Sequence, residues 1–243
     1  MRGTSAVQAE DTSPGWATRF VRALTKKERS YYYFHTLMTT APIRKGELTR
    51  QAILERAAMM ASRIGLEGLT IGALADELEL SKSGLFAHFR SKEALQLQVL
   101  EFGIERFVDT VIKPALAAPR GEKRVRALFD HWMDWPKSSG LAGCMFVALA
   151  TELDDQPGPV RERLVQSQRD WLDVIANCVR TGIAEGDLQK KLDPEQFAHE
   201  LYGIMLANHH AVRLLRDRGA VERTRRAFER LLDGARVKPR AKA

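Results

Sequence analysis

Two short amphipathic segments, joined by three residues, constrain this chain more than any other feature. Ile71, Leu74, Ala75 and Leu78 fall at i, i+3, i+4 and i+7, the spacing that gathers apolar side chains on one face of a helix. Thr70 precedes them, its hydroxyl placed to accept a free backbone N–H. After Glu79-Leu80-Ser81, where Leu80 is expected to plug the core and Ser81 to cap, comes a helix from Lys82 to His88. It offers Leu85 and Phe89, four residues apart, to the core. Lys82, Ser83, Gly84, Ala87 and His88 point outward and are small or polar. A preceding helix over 50–64, capped by Thr49 and stopped by Gly65, aligns Ile53, Ala57, Met60 and Ile64.

A helix that enters the DNA major groove needs this distribution, with one apolar face on its scaffold and one face of donors and small residues outward. Its N-terminus also favours a phosphate, because free N–H groups and the helix dipole point there. The same apolar spacing suits any small three-helix domain, so the pattern alone leaves a structural role open beside DNA binding.

Charge does not decide between them. The formal charge of +7 is carried by the flanks: residues 1–45 hold eight bases against three acids, and residues 213–243 eleven against four. The region between is net acidic.

Helical periodicity continues to the end of the chain, with breaks at Gly65, Pro119–Gly121, Gly140, Pro157–Pro159, Asp187 and Asp193–Pro194. Nine helices are predicted: 50–64, 71–78, 82–88, 92–117, 122–136, 143–154, 159–185, 194–217 and 220–233. No alternating run and no hairpin turn suggests a strand. The longest apolar stretch, Leu141 to Ala150, is about half the ~20 residues a bilayer span requires. With no secretory signal in the first forty residues, a cytoplasmic protein is expected. Met38 offers an alternative start. Cys144 and Cys178 form no CxxC pair and read as buried thiols.

The stretch Thr70-Ile71-(x)2-Leu74-Ala75-(x)2-Leu78-(x)-Leu80-Ser81-Lys82-Ser83-Gly84-Leu85-Phe86-Ala87-His88-Phe89-Arg90-Ser91-Lys92-Glu93-Ala94-Leu95 resembles the N-terminal signature of TetR/AcrR-family regulators. Leu85 to Leu95 is its most specific part. The resemblance implies an all-α fold: an N-terminal three-helix helix-turn-helix DNA-binding domain, then a larger helical ligand-binding and dimerisation domain. The expected division is a disordered basic extension over 1–45, the DNA-binding domain over 46–95, the effector and dimerisation domain over 96–234, and a basic disordered tail over 235–243.

Carried over residue by residue, the resemblance places Thr70 and Lys92 on phosphates. Lys82, Ser83 and Gly84, following the cap Ser81, lie at base edges, and His88 lies near the backbone. Phe86 stands where many relatives have Tyr, so a phosphate-contacting hydroxyl is missing. Glu79 stands where Gly is usual, and a positive φ there strains it by about 1 kcal/mol. Gly84 costs roughly 1 kcal/mol of helix propensity but permits close approach to DNA.

In the larger part no phosphate loop, GxSxG or HExxH occurs, and no catalytic residue, cofactor or metal is expected. Glu152-Leu-Asp-Asp155 reads as a solvated helix end. His209 and His210 point about 100° apart on a helix and do not share a metal easily. His131, Trp132, Trp135, Phe146, Trp171, Tyr202, Met205 and His209 are candidates for an apolar effector pocket, although each also suits ordinary core. The expected partners are double-stranded DNA, a second copy of the chain, and a small-molecule effector, with no membrane. Helices 159–185 and 194–217 are the expected dimer elements, with Phe197, Leu201, Ile204, Leu206 and Val212 as candidate contacts. Two other readings stay open: an enzyme or lipid-binding bundle that uses the first helices as scaffold, and non-specific attachment through the basic flanks.

Overall fold

The computed structural model describes residues 45–141 and 143–237, with side chains from Arg50 onward. Residues 1–44 of the expected extension, including Met38, and the tail from Lys238 lie outside the described residues.

The described residues are helical, apart from loops and one isolated bridge between Leu188 and Arg236. In order they are α1 (Lys45–Ile64), α2 (Ile71–Leu78), α3 (Lys82–Phe89), α4 (Lys92–Phe107), a π-helical turn (Val108–Ile112), α5 (Lys113–Ala117), α6 (Glu122–Ser138), α7 (Met145–Leu153), α8 (Pro159–Glu185), α9 (Pro194–Arg213) and α10 (Ala220–Ala235). No described helix is long and apolar enough to cross a membrane.

Several boundaries differ from expectation. Helix α1 already runs from Lys45, so Thr49 lies within it and is not its cap. The expected rod over 92–117 is interrupted by the π-helical turn immediately after Phe107; such turns insert one residue and re-aim the helix beyond them. Helix α9 stops at Arg213, and the chain turns at Arg216, which takes a positive φ of 51°.

Helix α8, 27 residues and thus about 40 Å long, is the central rod and packs against α4, α6, α7 and α9. Leu164, Trp171, Val174, Ile175, Cys178 and Val179 recur every three or four residues on its buried side. Helix α10 buries a narrow stripe of Thr224, Phe228 and Leu232 and exposes mostly charged residues, with Val221 apolar and exposed at its start. Phe228 stacks on Phe129 of α6 at 4.0 Å between ring centres. Beside that stack, Glu122 at the start of α6 takes bonds from Arg126 at 2.7 Å and Arg236 at 2.6 and 2.7 Å. Arg126 reaches on to Glu229 at 2.6 and 2.7 Å. The network ties the N-terminus of α6 to the C-terminal half of α10. It also holds Arg236, the second residue of the expected tail, against the fold.

Candidate functional site

The caps that the sequence proposes set the geometry of the three-helix unit. Thr70 Oγ accepts the Ala73 N–H at 3.0 Å and Ser81 Oγ accepts the Gly84 N–H at 3.1 Å. Glu79 adopts φ 54° and ψ 35°, the left-handed conformation, and thereby carries the expected strain. Leu85 and Phe89 are buried beneath α3. Ser81, Lys82, Ser83, Gly84, Phe86, Ala87 and His88 are exposed. Leu80 does not plug the core: it is 44% exposed, while Leu74 and Leu85 on either side of it and Leu66 and Leu69 from the loop after α1 are fully buried. A three-residue connection with a left-handed Glu79 turns the next side chain outward.

Two contacts in this unit were not legible from spacing. A Cβ built on Gly72 would stand 3.6 Å from Lys82 Cε, 3.8 Å from its Nζ and 3.8 Å from Thr70 Oγ. The end of the Lys82 side chain therefore lies over Gly72 in the first turn of α2, and the Thr70 hydroxyl is close to the same glycine. Lys92, by contrast, is engaged by Glu67 at 3.0 Å, and this bond holds the Glu67 carboxyl below its usual range. Arg90 was missed altogether. It ends α3 with φ 60° and is exposed, without a carboxylate partner among the described residues.

The loop between α1 and α2 is clamped from the larger domain. Glu152, at the end of α7, accepts the N–H of Leu66 at 3.1 Å and of Glu67 at 2.5 Å. Buried Gln96 of α4 donates to the Leu66 carbonyl at 2.7 Å. The expectation that Glu152 belongs to a solvated helix end is corrected by this contact, whereas Asp154 and Asp155 are exposed as expected. Gly65 makes the clamp possible. At φ 78° it turns the chain, and a Cβ there would lie 2.4 Å from the Glu152 carboxylate.

At the other end of α4 and α7 the predicted pocket residues divide into groups. Phe107 receives Trp135, Phe146 and Trp171 edge-on at 5.3, 5.5 and 5.1 Å between centres. None of these ring contacts includes His131, which is half-buried on α6. Met205 is fully buried, and Tyr202 donates its hydroxyl to Gln168 at 2.5 Å. The indole N–H groups of Trp135 and Trp171 are buried without an oxygen or nitrogen acceptor among the described residues, and for Trp171 the loss is about 1–3 kcal/mol. Burial pushes the Cys144 thiol up to about 11 even though the Trp135 indole beside it favours the thiolate. Burial likewise pushes Tyr202 up to about 12, so both stay protonated at neutral pH.

Trp132 and His209 instead line an open groove between α6 and α9. Burial lowers the pKa of His209, and neighbouring Arg213 and His210 lower it further. Of the expected dimer contacts, Phe197 and Leu201 are consumed in the protomer's own core. Helix α8 buries one side through Trp171, Ile175 and Cys178 and leaves Glu162, Gln166 and Arg180 exposed on the other. Leu206 and Val212 remain exposed, as do Leu214, Leu215 and Val221, which were not anticipated.

Two family descriptions match the chain over most of these elements. "Bacterial regulatory proteins, tetR family" matches residues 53–99, and "Tetracyclin repressor-like, C-terminal domain" matches residues 121–228. The chain is 25% identical over 152 residues to the HTH-type transcriptional repressor DhaR of Mycobacterium sp. (strain GP1), covering 61% of this chain and 74% of that one. It is 23% identical over 161 residues to the HTH-type transcriptional repressor NemR of Escherichia coli (strain K12), covering 65% and 80%. The crystal structure of a TetR-family transcriptional regulator from Cytophaga hutchinsonii superposes with a TM-score of 0.72 at 18% identity, covering 82% of this chain and all of that one. The capped helix-turn-helix and the helical domain behind it thus both fall within one family, and the chain belongs to the tetR family of bacterial regulatory proteins, as a DNA-binding transcriptional regulator.

Proposed function

We propose that this regulator is a ligand-responsive repressor that acts in the cytoplasm and binds a near-palindromic operator as a homodimer. The observation that carries the reading is α3, which buries Leu85 and Phe89 and turns Lys82, Ser83, Gly84, Phe86 and His88 to solvent. Lys82, Ser83 and Gly84 read base edges in the major groove. Thr70, Ser81, His88 and Lys92 serve the phosphate backbone, Lys92 by exchanging or sharing its Glu67 partner. Arg90 joins them as an additional cation at the end of α3.

Residues 46–95 form the DNA-binding part and 96–234 the effector and dimerisation part, with α4 common to both. The exposed Leu206, Leu214, Leu215 and Val221 on and after α9 and at the start of α10 support a seam formed by α9 and α10 rather than by α8. A dimer holds two copies of α3 about one DNA turn, roughly 34 Å, apart. Helices α4 and α7 each run from the aromatic cluster around Phe107 to the clamped Leu66 loop. An effector that prefers one arrangement of these two rods shifts the separation of the reading heads by its differential affinity for the two states.

The test is selection of genomic DNA by purified protein at physiological salt, followed by affinity measurements on the recovered site. The expected result is one inverted-repeat sequence, with Lys82→Ala weakening binding to it and relaxing the preference at the base pair that Lys82 reads. Recovery of DNA without any sequence preference would overturn the reading.

A further inference from the structure

The groove between α6 and α9, about 470 Å³ in volume, has two chemically distinct sides. Trp132, Leu141 and Val212 supply an apolar wall, and Lys137, Arg213 and Arg216 supply three cations. None of the three has a carboxylate partner among the described residues, although arginines close by do. Arg225 is paired with Asp130, and Asp217, the acid adjacent to Arg216, is committed to Arg223. The cations are therefore not the usual solvated ion pairs of a helical surface.

Arg213 is seated, not free. Gly143 lets its side chain lie flat on the backbone, since a Cβ there would be 2.9 Å from Arg213 Nε and 3.0 Å from Cδ. Arg216 lines the groove from the turn that ends α9, where its φ of 51° belongs to the helix-terminating hydrogen bonds of Leu215 to His210 and Asp217 to Ala211. At the inner end the groove reaches Cys144, beside the aromatic cluster whose two indole N–H groups lack acceptors. A mouth of three uncompensated cations that leads to an apolar wall suits one class of molecule. Charge-assisted bonds to the cations fix an anionic head, and the wall takes an apolar body.

We propose that this groove selects the effector as an amphipathic organic anion, its head on Lys137, Arg213 and Arg216 and its body along Trp132, Leu141 and Val212. The proposal rests on the reading of the chain as a ligand-responsive regulator, and names the ligand class. The head is a carboxylate or a phosphate, and the experiment separates the two.

Full-length protein is titrated calorimetrically with decanoate, decyl phosphate and decan-1-ol, and DNA release is followed in parallel by fluorescence anisotropy on the selected site. At least one anion is expected to bind with one molecule per chain, about tenfold or more tighter than the alcohol. The anion that binds identifies the head. The paired substitutions Arg213→Gln and Arg216→Gln are expected to weaken that anion at least tenfold, leave the alcohol unchanged, and leave DNA affinity and dimer mass unchanged. Binding of neither anion, equal binding of anion and alcohol, or an unweakened anion in the variant overturns the proposal. A variant that sediments as a monomer also overturns it, because the arginines then belong to the dimer seam. If the anion binds through the arginines but does not release DNA, the groove stands and its regulatory coupling to DNA fails.

Discussion

The clamp on the Leu66 loop gives the sharpest test of how the two parts of the chain are joined. In Glu152→Ala the N–H groups of Leu66 and Glu67 lose a carboxylate that now accepts both, at 3.1 and 2.5 Å. A hydrogen bond to a charged group contributes about 1.5–3 kcal/mol when shielded, and less where water competes. Glu67 is exposed and rehydrates, whereas the Leu66 side chain is fully buried and its N–H is only partly open to water. The two bonds together are therefore worth about 2 kcal/mol. Local opening at these amides should become roughly 30-fold more frequent, since 1.4 kcal/mol is a factor of ten. Amide hydrogen exchange read at Leu66 and Glu67 provides the assay, with Asp155→Ala as a control that removes a nearby exposed acid. Glu152→Gln keeps one acceptor oxygen and should fall between. Exchange rates at Leu66 and Glu67 that match the Asp155→Ala control would refute the clamp and the magnitude together.

Gly65→Ala should destabilise by at least about 2 kcal/mol, because φ is 78° and the new Cβ would lie 2.4 Å from the Glu152 carboxylate. In the double variant with Glu152→Ala the steric part disappears, so denaturation midpoints should show a smaller sum than the separate losses predict. Phe86→Tyr restores the missing hydroxyl on a ring that is 51% exposed. Stability should change by less than about 0.5 kcal/mol, while operator affinity rises severalfold at low salt; an unchanged affinity places the ring away from phosphate. The Arg236 guanidinium, with Arg126 beside it, holds the Glu122 carboxyl at about 2 against an ordinary 4.5. Its folded pKa is depressed, so its contribution is present above about pH 4.5 and is lost as pH falls towards 2. After allowance for solvent screening this amounts to about 1 kcal/mol. Acid titration of Glu122→Gln followed by circular dichroism should lack that part of the slope.

The sequence by itself determined the class of the molecule. Capping by Thr70 and Ser81, the apolar spacing of α2 and α3, and the absence of strand patterns are local properties, because a helix end and a helix face are written within about eight residues. The outward set on α3 was legible for the same reason, whereas a left-handed Glu79 was suggested only by the family resemblance, as a condition the backbone then met. Leu80 was not, because whether a turn residue points in or out depends on how two helices cross. Tertiary structure alone decided the rest. It put Glu152 on the Leu66 loop, with the two residues more than eighty positions apart in the chain. It brought Lys82 over Gly72, left the Trp135 and Trp171 indoles without an oxygen or nitrogen acceptor among the described residues, and divided the expected pocket between an aromatic core and a cationic groove. The helix-turn-helix is a product of periodicity within each helix, while the clamp and the groove exist only where α4, α6, α7 and α9 meet, and no spacing along one segment records which side chains its neighbours will present.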